Sequence, residues 1–195
     1  LEPSVTNGFR ERAEQALQDT FTIQGVTGQI QRLASGRIAW DWRGPREDPE
    51  WSWLFNRHRY FLDMLRTWEE TGDRDYLEAS GAMLSDWVTA NPYPDRLTFS
   101  HAWRALEAAR RILDSWLEVF FTLDTGPGIT AEARLLLLST LPQHADNLME
   151  HASFWGGNHL LTEKTALFAL ARAWPEFRDS RRWAEARSEE RRVGK

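Results

Sequence analysis

The sequence predicts an all-α fold made of helices that are joined by short turns. Apolar residues recur at helical spacing along most of the chain after residue 50. Glycine or proline signals, such as Gly72 and Pro175, stand where these patterns stop. Because short connections place consecutive helices side by side, the helices should pair as antiparallel hairpins. The breaks are unevenly spaced, which argues against a strict solenoid repeat.

The first 49 residues carry a weaker helical signal. Residues 9–18 are predicted to form a short helix, whereas residues 20–30 are rich in β-branched residues, contain two glycines and are predicted to be extended or looped. Residues 37–49 form a predicted loop that includes Trp40 and Trp42. Because two indole rings favour burial, we expect them to pack on the helices that follow.

The central helices follow from their apolar faces and end signals. A helix is predicted from residue 50, with one apolar face through residue 68 and Gly72 just past its end. Asp73 or Asp75 can cap the next helix, which Pro92 ends. Residues 100–121 form the longest predicted helix.

Three further helices are predicted in the last third of the chain. A Gly-Pro-Gly turn at residues 126–128 precedes a helix that Pro142 is expected to kink or divide after Leu141. The last two predicted helices cover residues 160–174 and 180–186.

Composition narrows the function without identifying it. The chain has 195 residues, of which 42% are hydrophobic and 27% charged, as in an ordinary folded domain. Its net charge of -5, with acids and bases interspersed, argues against a broad nucleic-acid-binding surface. No apolar run is long enough for a membrane span, and the absence of cysteine excludes disulfides. The 11 tryptophans suit both a helical core and the stacking of sugar rings.

Residues 154–163 read Phe-Trp-Gly-Gly-Asn-His-Leu-Leu-Thr-Glu and place polar chemistry directly before an apolar helix. One interpretation makes Asn158 an ordinary N-cap and His159 a half-buried residue of the first turn. The other interpretation places both residues in an active site, where the two glycines let the backbone approach a ligand closely.

Short motifs of aromatic, acidic and amide residues follow one another in a recognisable order. They are Trp51 with Leu54, Phe55, Asn56 and Arg57; Thr71, Gly72 and Asp73 with Tyr76; Asp86, Trp87, Asn91 and Pro92; Trp103, Arg110 and Trp116; Asn158, His159, Leu160, Leu161 and Glu163; and Trp174, Pro175, Glu176 and Trp183. Each motif is weak alone. Their order and spacing together resemble the N-terminal part of heparinase II/III-type polysaccharide lyases, over roughly residues 40–186.

The resemblance implies an incomplete (α/α) toroid, which in this family is normally followed by a large antiparallel β-sandwich region. It assigns residues 1–39 to a helix and loop that lead into the toroid, and residues 40–186 to the partial toroid. The charged residues 187–195 lose helical periodicity, and we expect them to reflect a truncation or a foreign junction. The implied setting is the bacterial periplasm or exterior. The implied partners are an acidic polysaccharide and the remaining toroid and β-sandwich regions of the same chain.

The resemblance also implies an activity. The family cleaves uronate-containing polysaccharides, including heparin, heparan sulfate and alginate, by β-elimination, and we expect no cofactor. In the family, the Asn at the position of Asn158 lies by the uronate carboxylate, and the His at the position of His159 is implicated as a base. A tyrosine farther along the toroid and a histidine of the β region complete the family's site. All three tyrosines of this chain precede residue 158, so the chain alone is expected to be inactive.

The side chains of asparagine and histidine suit the chemistry of β-elimination. β-Elimination removes a proton next to a carboxylate, so negative charge builds on a group that is already anionic. The reaction therefore needs hydrogen-bond donors at that group and a base near the proton. The amide of Asn158 can donate, and the imidazole of His159 can accept the proton. A helix that begins here would also direct its positive end at the carboxylate.

Six further residues are candidates for substrate binding. They are Trp155, Glu163, Trp103, Arg104, Arg110 and His101. Trp155 can stack on a sugar or pack in the core. Glu163 can orient the ring of His159, remain solvated, or pair near Lys164. The cations on the helix after residue 100 can line a cleft for an anionic ligand, although helical arginines are usually solvated.

Alternative functions remain open. Histidines 144, 151 and 159 are spaced by seven and eight residues, which matches no compact metal-ligand pattern, so no metal site is expected. A hydrolase on an (α/α) toroid would need two opposed carboxylic acids, for which Asp41, Asp86 and Glu163 are available without a clear pairing. A non-catalytic carbohydrate-binding or scaffold domain would be favoured if Asn158 is a buried cap.

Overall fold

The computed structural model describes residues 3–94, 100–124, 130–153 and 156–186. The helices are α1 (Pro3–Leu17), α2 (Pro49–Phe55), α3 (Tyr60–Thr71), α4 (Asp75–Ala90), α5 (Ala105–Arg111), a π-helical segment (Ile112–Trp116), α6 (Leu117–Asp124), α7 (Ala131–Glu150), α8 (Gly157–Ala173) and α9 (Ser180–Glu185). Two short strands, β1 (Thr20–Ile23) and β2 (Val26–Gln29), form an antiparallel hairpin in which Thr20 lies opposite Gln29. The predicted all-α class is confirmed.

The helices pack in two layers, and from α3 to α8 successive helices of the chain lie alternately in one layer and the other. One layer contains α3, the α5–α6 segment and α8, because α3 contacts α6 and α5 contacts α8. The second layer contains α4 and α7, which contact each other. At the edges, α9 packs on α8, and α1 packs on α3. Alternating layers of this kind are the architecture expected of an (α/α) toroid. Among the described helices, none combines the length and the apolar character that a bilayer crossing needs.

Tryptophans fill the core where the layers meet. Trp87 and Trp116 are fully buried, and their ring planes are nearly perpendicular at a centroid distance of 5.4 Å. Edge-to-face packing of this kind is a favoured aromatic geometry. The indoles of the 37–49 loop also pack inward, since Trp40 stacks on Phe55 at 5.1 Å. The expectation that this loop packs on the following helices is thereby confirmed for Trp40.

Local end signals set several helix boundaries as predicted. Gly72 ends α3 in the left-handed conformation, with φ of 72°, and its N–H donates to the carbonyl of Trp68 at 2.7 Å. The carboxylate of Asp73 accepts a hydrogen bond from the N–H of Asp75 at 3.1 Å, which satisfies a donor at the start of α4. The segment predicted as extended is the β1–β2 hairpin.

The helix predicted from residue 50 is interrupted. It ends at Phe55, and α3 begins at Tyr60, because His58 between them has a positive φ of 59°. Distant residues hold this turn: Ser115 donates its hydroxyl to the His58 carbonyl at 2.8 Å, and Trp116 donates its indole N–H to His58 Nδ1 at 3.0 Å. Tertiary hydrogen bonds therefore override a helical pattern at this point.

Two other helix predictions need correction. The helix predicted for residues 100–121 begins only at Ala105 and includes the π-helical segment. Pro142 was expected to kink or divide a helix; it does not divide α7, which continues on both sides of it. A proline removes one helical hydrogen bond. The burial of the neighbouring residues Leu141 and Ala145 anchors both sides of the proline in the core.

Candidate active site

Asn158 and His159 lie in the first turn of α8, and both residues are exposed. The N-cap of α8 is Gly156, whose φ of 72° is a conformation that glycine adopts without strain. Asn158 is therefore inside the helix, and the interpretation that made it the N-cap is wrong. Its exposure also removes the condition that would have favoured a non-catalytic domain.

The polar side chains of this first turn, Asn158 and His159, are available to bind a ligand. Within the described residues, neither the Asn158 amide nor the His159 imidazole has a hydrogen-bond or ion-pair partner, and no side chain caps α8. The first-turn N–H groups lack intrahelical acceptors and carry the positive end of the helix dipole. This end of α8 therefore offers donors, an imidazole and a favourable potential to an anionic ligand.

Glu163 lies one turn farther along α8 but is only 1% exposed. Its carboxylate accepts two hydrogen bonds from Ser153, one from the backbone N–H at 2.6 Å and one from the hydroxyl at 2.8 Å. The carboxylate is thus neither solvated nor paired near Lys164. It ties α8 to Ser153, which precedes the helix in the chain.

A second polar cluster surrounds the N-terminus of α5. Glu107 is fully buried and accepts hydrogen bonds from Arg57 and Arg104. The guanidinium of Arg104 also lies 4.2 Å from the ring centroid of Trp53, within cation–π range. The His101 ring lies 6.2 Å from the same indole. The structure therefore brings Arg104 and His101 close to the same indole, and Glu107 holds the arginine in place.

The environment of His101 favours its neutral form. Burial is the main cause that lowers the pKa of His101 below its ordinary value, and the charge of Arg43 lowers it further. The carboxylate of Asp41 acts in the opposite direction. A neutral imidazole in this position can exchange hydrogen bonds with sugar hydroxyls.

The α5 cluster and the start of α8 lie at the same end of the helical layers. Asn147, in the last turn of α7, donates its side-chain amide to the carbonyl of Trp103 at 3.1 Å. This bond places the C-terminal end of α7 beside the residues that precede α5. Because α8 begins only a few residues after α7 ends, Asn158 and Arg104 belong to this one end of the molecule.

Two candidate residues are placed differently, and a third is not described. Trp103 is 5% exposed and donates its indole N–H to the carbonyl of Asn91 at 3.0 Å, so it packs in the core and does not present its ring to a sugar. Arg110 pairs along its own helix with Asp114 at 3.5 Å. Trp155 lies outside the described residues, as do residues 187–195.

Sequence reasoning missed Trp53 and Glu107, and it noted Arg57 only as part of a motif. The Arg57–Glu107 pair joins residues that are 50 positions apart, so no local spacing indicates it. The one available signal was that Arg57, Arg104 and Glu107 are charged residues within otherwise apolar helical patterns.

The carboxylates considered for a hydrolase are engaged elsewhere or apart. Asp86 accepts hydrogen bonds from the indole of Trp40 at 2.8 Å and from the N–H of Ile38 at 3.2 Å. Glu163 is held by Ser153, and Asp41 is exposed in the 37–49 loop. These surroundings give no support to an opposed pair of carboxylic acids, which hydrolysis of a glycosidic bond would need.

Comparison with known proteins places this architecture in a family. Residues 2–190 match the family model described as the heparinase II/III N-terminus. The chain belongs to the heparinase II/III family. It is 31% identical over 180 residues to a heparin-sulfate lyase of Pedobacter heparinus, a match that covers 90% of this chain and 26% of that protein. The resemblance inferred from the motifs is confirmed.

Solved heparinase structures share the fold. The crystal structure of heparan sulfate lyase HepC from Pedobacter heparinus superimposes with a TM-score of 0.78 at 29% identity, covering 91% of this chain and 27% of HepC. A heparinase III structure that is 24% identical gives a TM-score of 0.82 over 95% of this chain and 31% of its own. The toroid-like all-α fold is thereby confirmed. The chain spans about a quarter of the curated relative from Pedobacter, at 26%.

Proposed function

We propose that this heparinase-family chain forms one part of the substrate cleft of a polysaccharide lyase. The enzyme would cleave a uronate-containing polymer of the heparan sulfate type by β-elimination. The observation that carries the proposal is the exposed and uncommitted Asn158–His159 pair in the first turn of α8. The names of the relatives, which are heparin-sulfate lyases, support this polymer over alginate.

The chemistry follows from the two side chains. Asn158 donates its amide to the uronate carboxylate and, with the first-turn N–H groups of α8, stabilises the charge that develops there. His159 accepts the proton from the carbon next to that carboxylate. The electron pair forms the new carbon–carbon double bond as the bond to the leaving sugar oxygen breaks. A group outside these residues, a tyrosine by family resemblance, gives that oxygen its proton.

The α5 cluster extends this surface. Arg104 is held against Trp53 by the buried carboxylate of Glu107, so its guanidinium is oriented before a ligand arrives. An arginine fixed in this way suits a sugar carboxylate or sulfate. His101 on the same indole can serve a hydroxyl. We assign these residues to substrate binding, at the same end of the helical layers as the Asn158–His159 pair.

We also propose a periplasmic or secreted location. The curated relatives are lyases of Bacteroides thetaiotaomicron and Pedobacter heparinus, both bacteria. A polymer too large to cross the inner membrane must be shortened outside it.

The test uses the full-length parent enzyme and follows the absorbance of the unsaturated uronate product on heparan sulfate, alginate and hyaluronan. Asn158→Ala should lower kcat/KM by about 10²–10³, and His159→Ala by about 10²–10⁴. Arg172→Ala is the control, since Arg172 is exposed in the last turn of the same helix. Unchanged activity in both site variants would overturn the site. Chain cleavage without a new double bond would indicate hydrolysis instead.

A further inference from the structure

A cavity of about 560 Å³ lies between α1, the β1–β2 hairpin and α3. It belongs to a different part of the molecule from the Asn158 site. The helix α1 packs on α3 and on β1, whereas α8 packs on α5, α7 and α9. The cavity is therefore unexplained by the proposed catalytic role.

The walls of this cavity are cationic. Arg12, Arg59 and Arg66 line it, together with the carboxylate of Asp63. Arg12 donates two hydrogen bonds to Asp63, at 2.8 and 2.6 Å, and so neutralises that carboxylate. Arg59 and Arg66 are exposed, and within the described chain neither has an ion-pair partner. Two guanidinium groups thus remain available to an anionic ligand.

The spacing of the two free arginines suits a ligand with more than one anionic group. Arg59, the N-cap of α3, and Arg66 are seven residues apart, which is two helical turns or about 10 Å along the helix axis. Their guanidinium groups can therefore contact two anionic groups that are set apart on a larger framework.

The remaining lining combines apolar and polar side chains. Phe21 and Tyr60 both line the cavity, but their rings pack on each other at a tilt of 56° and a centroid distance of 4.7 Å, and Phe21 is only 5% exposed. They form an apolar floor of the cavity. Polar side chains at the rim, Thr22 and Gln24, can exchange hydrogen bonds with hydroxyl groups, and Gln24 already donates to Glu50 at 3.1 Å.

We propose that this cavity is a second, non-catalytic site for a sulfated, uronate-containing oligosaccharide. The ligand class rests on the proposed function. A long polymer would occupy the cavity and the cleft of the same or a neighbouring molecule, whereas a short oligosaccharide would be cleaved in the cleft without this contact. The cavity would therefore lower KM for the polymer and leave the chemical step unchanged.

The experiment compares two double variants of the full-length protein that remove equal charge. Arg59→Ser with Arg66→Ser empties the cavity of its free cations. Arg172→Ser with Arg178→Ser removes two exposed arginines elsewhere. For the cavity pair, we expect KM on long heparan sulfate to rise about tenfold, the effect of two partly exposed ion contacts. Kinetics on a heparan sulfate tetrasaccharide should match those of the control pair.

Binding measurements separate this inference from the proposed function. Calorimetry with a size-defined heparan sulfate dodecasaccharide should show one binding event fewer, or one about tenfold weaker, in the cavity pair than in the control pair. Equal binding in the two pairs would overturn the inference. A change in Tm without a difference in binding would overturn it as well. Activity that survives Asn158→Ala and His159→Ala would contradict the proposed function. The difference in binding between the cavity pair and the control pair tests the cavity independently of that result.

Discussion

Histidines of this chain lie in opposite surroundings. His58 and His144 are fully buried among the core tryptophans, and each Nδ1 is hydrogen-bonded, to Trp116 at 3.0 Å and to the Thr140 carbonyl at 2.8 Å respectively. His159 is exposed at the start of α8 and has no partner within the described residues. The contrast separates imidazoles that hold the fold together from one that is available for proton transfer. Exposure and lack of partners, not residue type, mark the candidate base.

The largest effect that tests this contrast is the dependence of stability on pH. Burial is the main cause that lowers the pKa of His58 and of His144 well below the ordinary value of 6.5, and the charge of Arg111 lowers both further. Below that value the unfolded chain binds protons that the folded chain does not. Stability is therefore fully present above about pH 7 and falls on acidification, by about 1 kcal/mol per pH unit for each histidine.

Urea unfolding at pH 7, 6 and 5 measures this dependence. His144→Gln should reduce the slope by about half even if it also lowers stability at pH 7, because one of the two titrating groups is gone. Arg172→Gln, an exposed substitution on α8, is the control and should leave the slope unchanged. A stability that is constant from pH 7 to pH 5 would break the distinction between buried and exposed histidines.

A smaller effect on stability is expected from the hydrogen bonds between Glu163 of α8 and Ser153, which precedes the helix. Glu163→Gln replaces one acceptor oxygen by an amide that faces either the N–H or the hydroxyl of Ser153. The free energy of unfolding should fall by about 1–3 kcal/mol, the range for losing a hydrogen bond to a buried charged group. Ser153→Ala removes only the hydroxyl bond and should cost about 1 kcal/mol. Urea unfolding of both single variants and the double variant gives their coupling energy, and additive effects would contradict the tie.

Local chemistry made much of the fold predictable, but long-range contacts did not show in the sequence. The end of α3 at Gly72 and the position of α8 follow from glycines beside apolar helical patterns. The turn at His58 depends on Ser115 and Trp116, which lie 57 and 58 positions away. The same reason explains why Asn158 and His159 were predicted and the Arg57–Glu107 pair was not. A motif consists of residues that are close in sequence, whereas this ion pair joins residues that are close only in the folded structure.

The smallest expected effect is the most specific test of how Asn158 is placed. Asn158→Ala should leave the free energy of unfolding unchanged within about 0.5 kcal/mol or raise it slightly, since alanine has the better helix propensity and no side-chain hydrogen bond is lost. If Asn158 capped α8, the same substitution would cost about 1 kcal/mol. Urea unfolding decides between these values, with Thr130→Ala as the reference, because Thr130 caps α7 by accepting a bond from the N–H of Ala133 at 3.1 Å. A loss equal to that of Thr130→Ala would mean that the residue serves the helix, and its amide would then not be free for a carboxylate.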